Sequence, residues 1–353
     1  MPWVNLVRHG WQNQMMTETI RTHLQSFTTI REDLVTAALS FWLIGGVVLD
    51  GWAHVTRGGV ETFFTPWHAA FYSGFVAVAL WTIFLVRKAR QATGVPVGYR
   101  LGLSGLVIFA AGGVGDLLWH QLLGIETSID ALISPTHLIL LLGAMLIITS
   151  PIRSSWHRPT PRDSPWSWLA PALISTTLVA VLAQFFFLYA SGWGDVAFQT
   201  DWAPGEDFGV ALGMISLVIS TVIFMGLGLL LLRRWNPPFG AFTLLIGALG
   251  LSMVVVHGFG RPGGVLAALL GGVAVDWLAQ QLRPDPSRPT MARTFGFVAP
   301  VAVWSAYVIY LAIVGDLRWP VVLWLGAVLM MGLWGLGLAV LAVPAPSPRQ
   351  ASS

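Results

Sequence analysis

The chain has 353 residues, of which 55% are hydrophobic and only 10% are charged, and its mean hydropathy is +0.72. This composition excludes a soluble globular enzyme and is typical of a polytopic membrane protein. The net charge of +3 comes from basic residues in short loops, which indicates membrane orientation rather than a nucleic-acid partner. Cysteine is absent, which excludes disulfides, iron–sulfur clusters and thiolate metal sites.

The predicted elements begin after residues 1–32, which carry charges and tryptophans without a continuous apolar stretch. They predict a cytoplasmic or interfacial segment rather than a cleaved signal peptide. Ten apolar segments then have about the length that spans a bilayer, roughly 17 to 25 residues, and backbone groups in lipid must bond within helices. The segments cover 33–53, 66–86, 101–120, 135–152, 167–190, 209–232, 238–257, 263–282, 294–315 and 319–343.

The predicted fold class is therefore an all-α polytopic membrane protein with about ten transmembrane helices. Its expected parts are an N-terminal segment (1–32), a duplicated four-helix metal-binding unit (33–152), a cytoplasmic linker (153–166), a six-helix membrane unit (167–343) and a disordered tail (344–353).

Basic residues collect on one side of the predicted membrane when the N-terminus is placed in the cytoplasm. Of the 19 Lys and Arg residues, all except Arg57, Arg261 and Arg318 then lie inside, in agreement with the positive-inside rule. One helix more or fewer would reverse every later loop, so this distribution also supports the helix number. Both termini are predicted to be cytoplasmic, and the bacterial cytoplasmic membrane is the expected location.

A motif occurs twice in the first four segments. Asp-x3-His ends one segment, a Glu follows, and Ser/Thr-Pro-x-His opens the next. Carboxylates and imidazoles at membrane depth are costly to bury, which makes them candidates for function. Two matched sets predict two related metal sites, and a hairpin duplicated for structural reasons is the alternative. The copies are Asp50, His54, Glu61 and Thr65-Pro66-Trp67-His68, and Asp116, His120, Glu126 and Ser134-Pro135-Thr136-His137.

The spacing suits metal ligation. Asp50 and His54 lie four residues apart and therefore on one face of a helix, and the second copy repeats this spacing. Ser or Thr followed by Pro is a preferred helix start, which sets the last His of each copy in a first turn. In the predicted topology all six candidate ligands converge on the outer side of the membrane.

Each set combines two imidazoles with one carboxylate and leaves open positions. Copper, non-haem iron and zinc all suit these donors, and the affinity order of divalent ions favours copper. Glu61 and Glu126 are predicted to hold a ligand imidazole in one tautomer or to relay protons.

The stretch Asp50-Gly-Trp-Ala-His54, followed by Glu61-Thr-Phe-Phe-Thr-Pro-Trp-His68 and Phe71-Tyr72, resembles the C subunit of the particulate methane and ammonia monooxygenases. In that family an Asp-x3-His pair precedes an acidic-Thr-x-Phe-Thr-Pro-x-His run. The second copy resembles the second metal site of the same subunit, in which an Asn commonly stands where Asp116 stands here. The resemblance covers residues 45–145, and the six later segments are not matched.

The resemblance implies a copper monooxygenase in which Asp50, His54 and His68 are catalytic metal ligands. Dioxygen would then oxidise a small apolar substrate that arrives through the lipid bilayer. The family enzymes contain three different subunits, so other membrane subunits or a homo-oligomer are expected as partners. A second metal ion would be held by Asp116, His120 and His137.

Other functions remain open from the residues alone. A metal carrier or transporter would use the same ligands transiently, since paired motifs occur in the internal repeats of transporters. A structural membrane subunit would use the polar residues only as helix caps. Bis-histidine haem in a quinol-linked electron-transfer protein is a third reading, although the nearby carboxylates favour a hard metal.

Two further polar pairs lie in the later segments. His257 and Arg261 are predicted to form an interfacial loop. The alternatives are an approach of His257 to the metal site and binding of an anion or a lipid headgroup by Arg261. Asp276 and Gln280 are expected to be a packing or lipid-side polar pair.

Overall fold

The computed structural model describes residues 27–57, 63–90, 94–124, 129–194, 197–203, 205 and 207–343. These parts of the chain are almost entirely helical and contain no β-strand. The helices are α1 (Ile30–Arg57), α2 (Pro66–Arg90), α3 (Arg100–Leu123), α4 (Asp130–Ile133), α5 (Pro135–Ile148), α6 (Ser150–His157), α7 (Trp166–Phe186), α8 (Phe208–Arg234), α9 (Ala241–Val256), α10 (Gly263–Leu282), α11 (Pro289–Val314) and α12 (Val321–Ala342). A 3-10 turn, Leu188–Ala190, follows α7.

Every predicted apolar segment corresponds to helix. Within the described ranges, nine helical spans are long and apolar enough to cross a membrane, with α5 and α6 together forming one of them. The remaining segment forms α9, which has 16 residues and is shorter than the roughly 20 that a bilayer core needs. The prediction of an all-α polytopic membrane protein is confirmed. The side on which the termini lie and the duplication of the first hairpins stay predictions.

Two helices end differently from the predicted segments. The segment 135–152 is divided at Thr149, after which α6 continues to His157. Pro151 lies in the first turn of α6, and because proline lacks an N–H and crowds the preceding turn, it favours a new helix start. The segment 167–190 is helical only to Phe186.

The helices pack as neighbouring hairpins. The pairs α1 with α2 and α3 with α5 each make extensive contact, and α7 packs against both hairpins and against α9. Glycines permit the close approach. A Cβ on Gly46 would lie 2.5 Å from Phe71 Cα, and one on Gly143 would lie 2.6 Å from Phe109 N. The motif-bearing ends of these helices are therefore held at one end of the bundle.

A buried ion pair closes the opposite end, where α1 begins. Asp33 has no exposed surface. Its carboxylate oxygens accept hydrogen bonds from Thr28, Tyr99, Ser154 and Arg158. A buried charge is tolerated when it is paired and fully hydrogen-bonded. This network therefore serves the packing of α1 against α6.

Residues 1–26 and 344–353 lie outside the described residues. They include most of the predicted N-terminal segment and the predicted tail.

Candidate metal centre

The first group of candidate ligands forms where α1 ends and α2 begins. His54 Nε2 lies 3.7 Å from Asp50 Oδ2, one helical turn away. His68, in the first turn of α2, places Nδ1 3.7 Å from Asp50 Oδ1. One ligand atom from each residue lies within 4.8 Å of the others, so this group could hold one metal ion. We call it the first centre.

The local sequence explains the position of His68. Thr65 directly precedes α2, and its Oγ1 accepts a hydrogen bond from the His68 backbone N–H at 3.0 Å. This is the bond that an N-cap residue makes. The same hydroxyl lies 2.9 Å from His68 Nδ1. The cap thus fixes both the start of α2 and the orientation of the imidazole.

An aromatic clamp holds the two helices together beside the first centre. The Arg57 guanidinium lies 4.9 Å from the ring centroids of both Trp52 and Trp67. The two rings are 5.4 Å apart and almost perpendicular. Cation–π contacts of this kind are attractive, and here they join the last turn of α1 to the first turn of α2.

The second group forms in the same way where α3 ends and α5 begins, and we call it the second centre. Asp116 Oδ1 lies 3.6 Å from His120 Nε2 and 3.5 Å from His137 Nε2. Asp116 has no exposed surface. Ligand atoms of these three residues also lie within 4.8 Å of one another, so this group could hold a metal ion.

Two hydroxyl groups orient the second centre. Ser134 caps α5, and its Oγ lies 2.6 Å from His137 Nδ1. Thr136 Oγ1 donates a hydrogen bond to Asp116 Oδ1 at 2.9 Å. Partners of this kind hold a ligand in position before the metal binds.

The two centres border one cavity with a volume of about 110 Å³. It is lined by five of the six candidate ligands: Asp50, His54, His68, His120 and His137. Most of the remaining wall is apolar and includes Phe71, Phe109, Leu140, Leu182 and Phe185. Phe63 stacks on His68 with a centroid distance of 5.1 Å and lies 6.0 Å from His120. One aromatic ring therefore contacts both centres.

The donors fit a metal ion by two measures. The carboxylate-to-imidazole distances are 3.5 to 3.7 Å, too long for hydrogen bonds. Two ligand atoms bound at about 2.1 Å in tetrahedral geometry lie about 3.4 Å apart. In addition, Asp50 Oδ1 and Asp116 Oδ2 are buried and have no hydrogen-bond partner among the described residues. Buried carboxylate oxygens without partners are costly, and a bound cation would remove that cost.

The centres differ in the nitrogen that faces the carboxylate. In the second centre Ser134 binds His137 Nδ1, which leaves Nε2 directed at Asp116. In the first centre His68 Nδ1 faces both Thr65 and Asp50. One lone pair cannot serve a hydroxyl proton and a metal at once. A metal ion bound by His68 Nδ1 would therefore compete with the contact to Thr65 Oγ1.

Glu61 and Glu126, which were predicted to support the ligand histidines, lie outside the described residues. Asp276 is buried in the second half of the bundle, where it caps α9. It accepts hydrogen bonds from the backbone N–H groups of Phe242 and Thr243 and from Thr243 Oγ1. Asp276 and Gln280 lie four residues apart, as Asp50 and His54 do, but the contacts of Asp276 serve helix packing.

Three contacts of this region were not predicted from the sequence: the bond from Thr136 to Asp116, the position of Phe63 against both centres, and the clamp around Arg57. Thr136 lies within the Ser-Pro-x-His run, so a hydroxyl group next to a candidate ligand was the sign of this bond in the sequence. The other two depend on helices whose relative positions the spacing does not define.

No protein-family model, curated protein or solved structure matches this chain.

Proposed function

We propose that this protein is a copper-dependent membrane monooxygenase, which activates dioxygen to oxidise a small apolar substrate. The observation that carries the proposal is the pair of His2Asp groups on one apolar cavity. The local resemblance of residues 45–145 to the C subunit of the particulate methane and ammonia monooxygenases supports the same chemistry.

The donor set suits a redox-active ion, and the affinity order of divalent ions favours copper. Two imidazoles and one carboxylate leave coordination positions open, and the cysteine-free chain offers no thiolate alternative. Copper bound there would supply one-electron redox chemistry and a binding position for dioxygen. Iron and zinc suit the same donors, and metal analysis distinguishes them.

The protein residues have separable roles in this proposal. Asp50, His54 and His68 are the catalytic ligands, and Asp116, His120 and His137 bind the second ion. Phe71 and Phe185 form part of the apolar wall, which limits water at the site. The cavity of about 110 Å³ is smaller than the roughly 150 Å³ that holds one benzene molecule, so the substrate is expected to contain only a few heavy atoms.

The overall reaction places one oxygen atom in the substrate and releases the other as water. It consumes two electrons and two protons from an external reductant. A further membrane subunit or a second copy of the chain is the proposed route by which those electrons arrive.

A metal carrier is the second candidate, since it would use the same six ligands. A transport path requires ligands that continue along the bundle. Residues 41–49 of α1, which precede Asp50, contain no side chain of a type that binds metal. This apolar stretch favours a fixed centre over a path.

The test is metal analysis of the purified protein together with electron paramagnetic resonance. Wild type is compared with His54→Ala, His137→Ala and the control His157→Ala, which alters an exposed histidine outside both centres. We expect each ligand variant to lose the metal of one centre and the control to retain both. Unchanged metal content in both ligand variants would refute the ligand assignment.

Activity is then measured on metal-loaded protein with small alkanes, dioxygen and a chemical reductant. Product formation that depends on dioxygen, on copper and on the Asp50 side chain supports the monooxygenase. Metal retained without oxygen-dependent product, but exchanged across liposomes, would favour the carrier.

We also propose that the centres face the outer side of the bacterial cytoplasmic membrane. The cysteine-free chain allows a direct test with single cysteines and a membrane-impermeant thiol reagent on intact cells. Arg318→Cys is expected to react and Arg288→Cys to be protected. The reverse pattern would place the centres inside.

A further inference from the structure

A second cavity, of about 280 Å³, lies between α9, α10 and α11. It lies at the same end of the bundle as the metal centres, because a Cβ on Gly258 in the α9–α10 loop would be 2.9 Å from Thr56 Cγ2. Its lining does not include any of the six candidate ligands, so it is a separate cavity. Polar groups on its wall come from Trp193, His257, Arg261, Tyr307 and Tyr310.

Arg261 is held in place at this cavity. Its guanidinium donates to Gln199 Oε1, and Gln199 Nε2 in turn lies 3.1 Å from Tyr307 Oη. Arg261 Nε also lies 3.3 Å from Asp316 Oδ2. Both members of this ion pair are about one-third exposed, so the pair is weak. A stronger anionic ligand can compete with Asp316 for Arg261.

The other polar groups are mainly donors. Arg261 and Trp193 can only donate hydrogen bonds, and tyrosine hydroxyls can donate as well. His257 Nδ1 lies 2.8 Å from Met253 O, a carbonyl that can only accept, so Nδ1 carries a proton. The opposite nitrogen remains available to accept a ligand hydroxyl. Such a wall complements a group with several acceptor oxygens.

Glycines contribute part of the space. Gly260 and Gly264 border the cavity, and so does Gly250, whose missing side chain instead allows close approach to Ala268. At Gly264 a Cβ would meet its nearest neighbours at 3.8 and 3.9 Å, an ordinary contact distance, so the wall is loosely packed there. The volume exceeds that of the apolar cavity at the metal centres, and the rings of Trp193 and Tyr307 line part of it. A ligand larger than a bare ion is therefore accommodated.

We propose that this cavity binds the phosphate group of an organic ligand, with Arg261 as its cationic contact. Phosphate presents several acceptor oxygens to a fixed guanidinium, the pairing for which arginine is best suited. A phospholipid headgroup and a soluble phosphate ester share this chemistry. The site is independent of the metal chemistry and goes beyond the proposed function.

The experiment measures binding to the delipidated full chain in detergent. Native mass spectrometry follows short-chain phosphatidylglycerol, with diacylglycerol of equal chain length as the control that lacks phosphate. Calorimetry follows glycerol 3-phosphate. Wild type is compared with Arg261→Gln and with Arg318→Gln, a matched control that removes the charge of an exposed arginine paired with Asp201 and absent from the cavity lining.

We expect Arg261→Gln to weaken binding of a phosphate ligand about tenfold or more, as loss of a charge-assisted hydrogen bond does. Arg318→Gln should change it less than twofold. Dependence on Arg261 with the lipid alone identifies a headgroup site, and dependence with glycerol 3-phosphate identifies a site for soluble esters. Equal binding by the two variants, or no binding of either phosphate ligand, would overturn the proposal.

Tyr310→Phe keeps the result decisive if Arg261→Gln fails to fold. It preserves the ring that packs on Gly263 and removes only the hydroxyl at the cavity. A several-fold weaker affinity for the same ligand is expected, with unchanged metal content. Unchanged affinity in this variant would count against the site.

Discussion

Helix α1 carries an aspartate near each end, and the two have opposite environments. Asp33 is surrounded by four donors, including the guanidinium of Arg158. Asp50 has two imidazoles at 3.7 Å, and its Oδ1 has no hydrogen-bond partner among the described residues. A buried carboxylate that stabilises the fold is fully paired, whereas one that is kept for a cation is not. The contrast separates a structural aspartate from a candidate ligand.

The largest expected effect is a loss of unfolding free energy on substitution of Asp33, at the start of α1. Asp33→Asn would leave the Arg158 guanidinium buried without its charge partner, and breaking a buried pair costs about 3 to 5 kcal/mol of unfolding free energy. Asp50→Asn in metal-free protein should change stability by less than about 1 kcal/mol, because no hydrogen bond is lost at Oδ1. Denaturant unfolding in detergent measures both. Equal losses would remove the distinction between the two ends.

Metal addition should stabilise the end of the bundle that holds Asp50. Saturating copper at 100 times its Kd is expected to stabilise wild type by about 2.7 kcal/mol per centre, since the ion binds only the folded state. The double variant Asp50→Asn, Asp116→Asn should lose this gain. Asp201→Asn, whose side chain is almost fully exposed, is the matched control and should retain it. Thermal unfolding with and without copper is the measurement, and a retained gain in the double variant would contradict the assignment.

A smaller effect should separate the two centres from each other. Thr136→Val removes the hydrogen bond to Asp116, and loss of such a supporting contact typically weakens metal binding roughly tenfold or more. Thr65→Val removes a helix cap but also frees His68 Nδ1, so affinity at the first centre should not fall in parallel.

Copper titration tests each centre alone. The Thr136 variant is measured in a His54→Ala background, and the Thr65 variant in a His137→Ala background. An equal loss of affinity for both variants would show that the two centres are equally preorganised.

The smallest expected effect on stability comes from Asp285, a paired carboxylate outside the membrane-spanning helices. Burial acts to raise the pKa of Asp285, but hydrogen bonds from Ser287 and the nearby charges of Arg162 and Arg288 hold that pKa below its ordinary value of about 3.8. A lowered pKa stabilises the fold above the unfolded value, and this stability is lost as pH falls from about 3.8 through the lower folded value.

Asp285→Asn should therefore cost at most about 1 kcal/mol at pH 7, because the pair with Arg162 is partly exposed. The difference from wild type should vanish in acid. The unfolding free energies of the variant and wild type are measured as a function of pH. A difference between them that persists in acid would show that Asp285 acts through packing and not through charge.

Much of the fold and part of the candidate site could be predicted. Segment lengths and the positions of basic residues predict the helices because lipid forbids unpaired backbone groups. The i, i+4 spacing brings Asp50 to His54, and the Thr65-Pro66 start sets His68 in a first turn. These are local relationships, and local geometry is readable from one sequence. The shortness of α9 and the division at Thr149 were not predicted, because hydropathy does not mark where a helix ends in lipid.

An all-helical membrane protein with two repeated sets of metal-binding residue types can be inferred from the sequence alone. The tertiary structure was needed to show that both sets border one cavity, that Asp33 is structural, and that Arg261 lines a second cavity. The reason is distance along the chain. Asp33 and Arg158 are 125 residues apart, and Asp116 reaches Thr136 across a hairpin. Such pairings follow from helix packing, which a pattern of residue types does not specify.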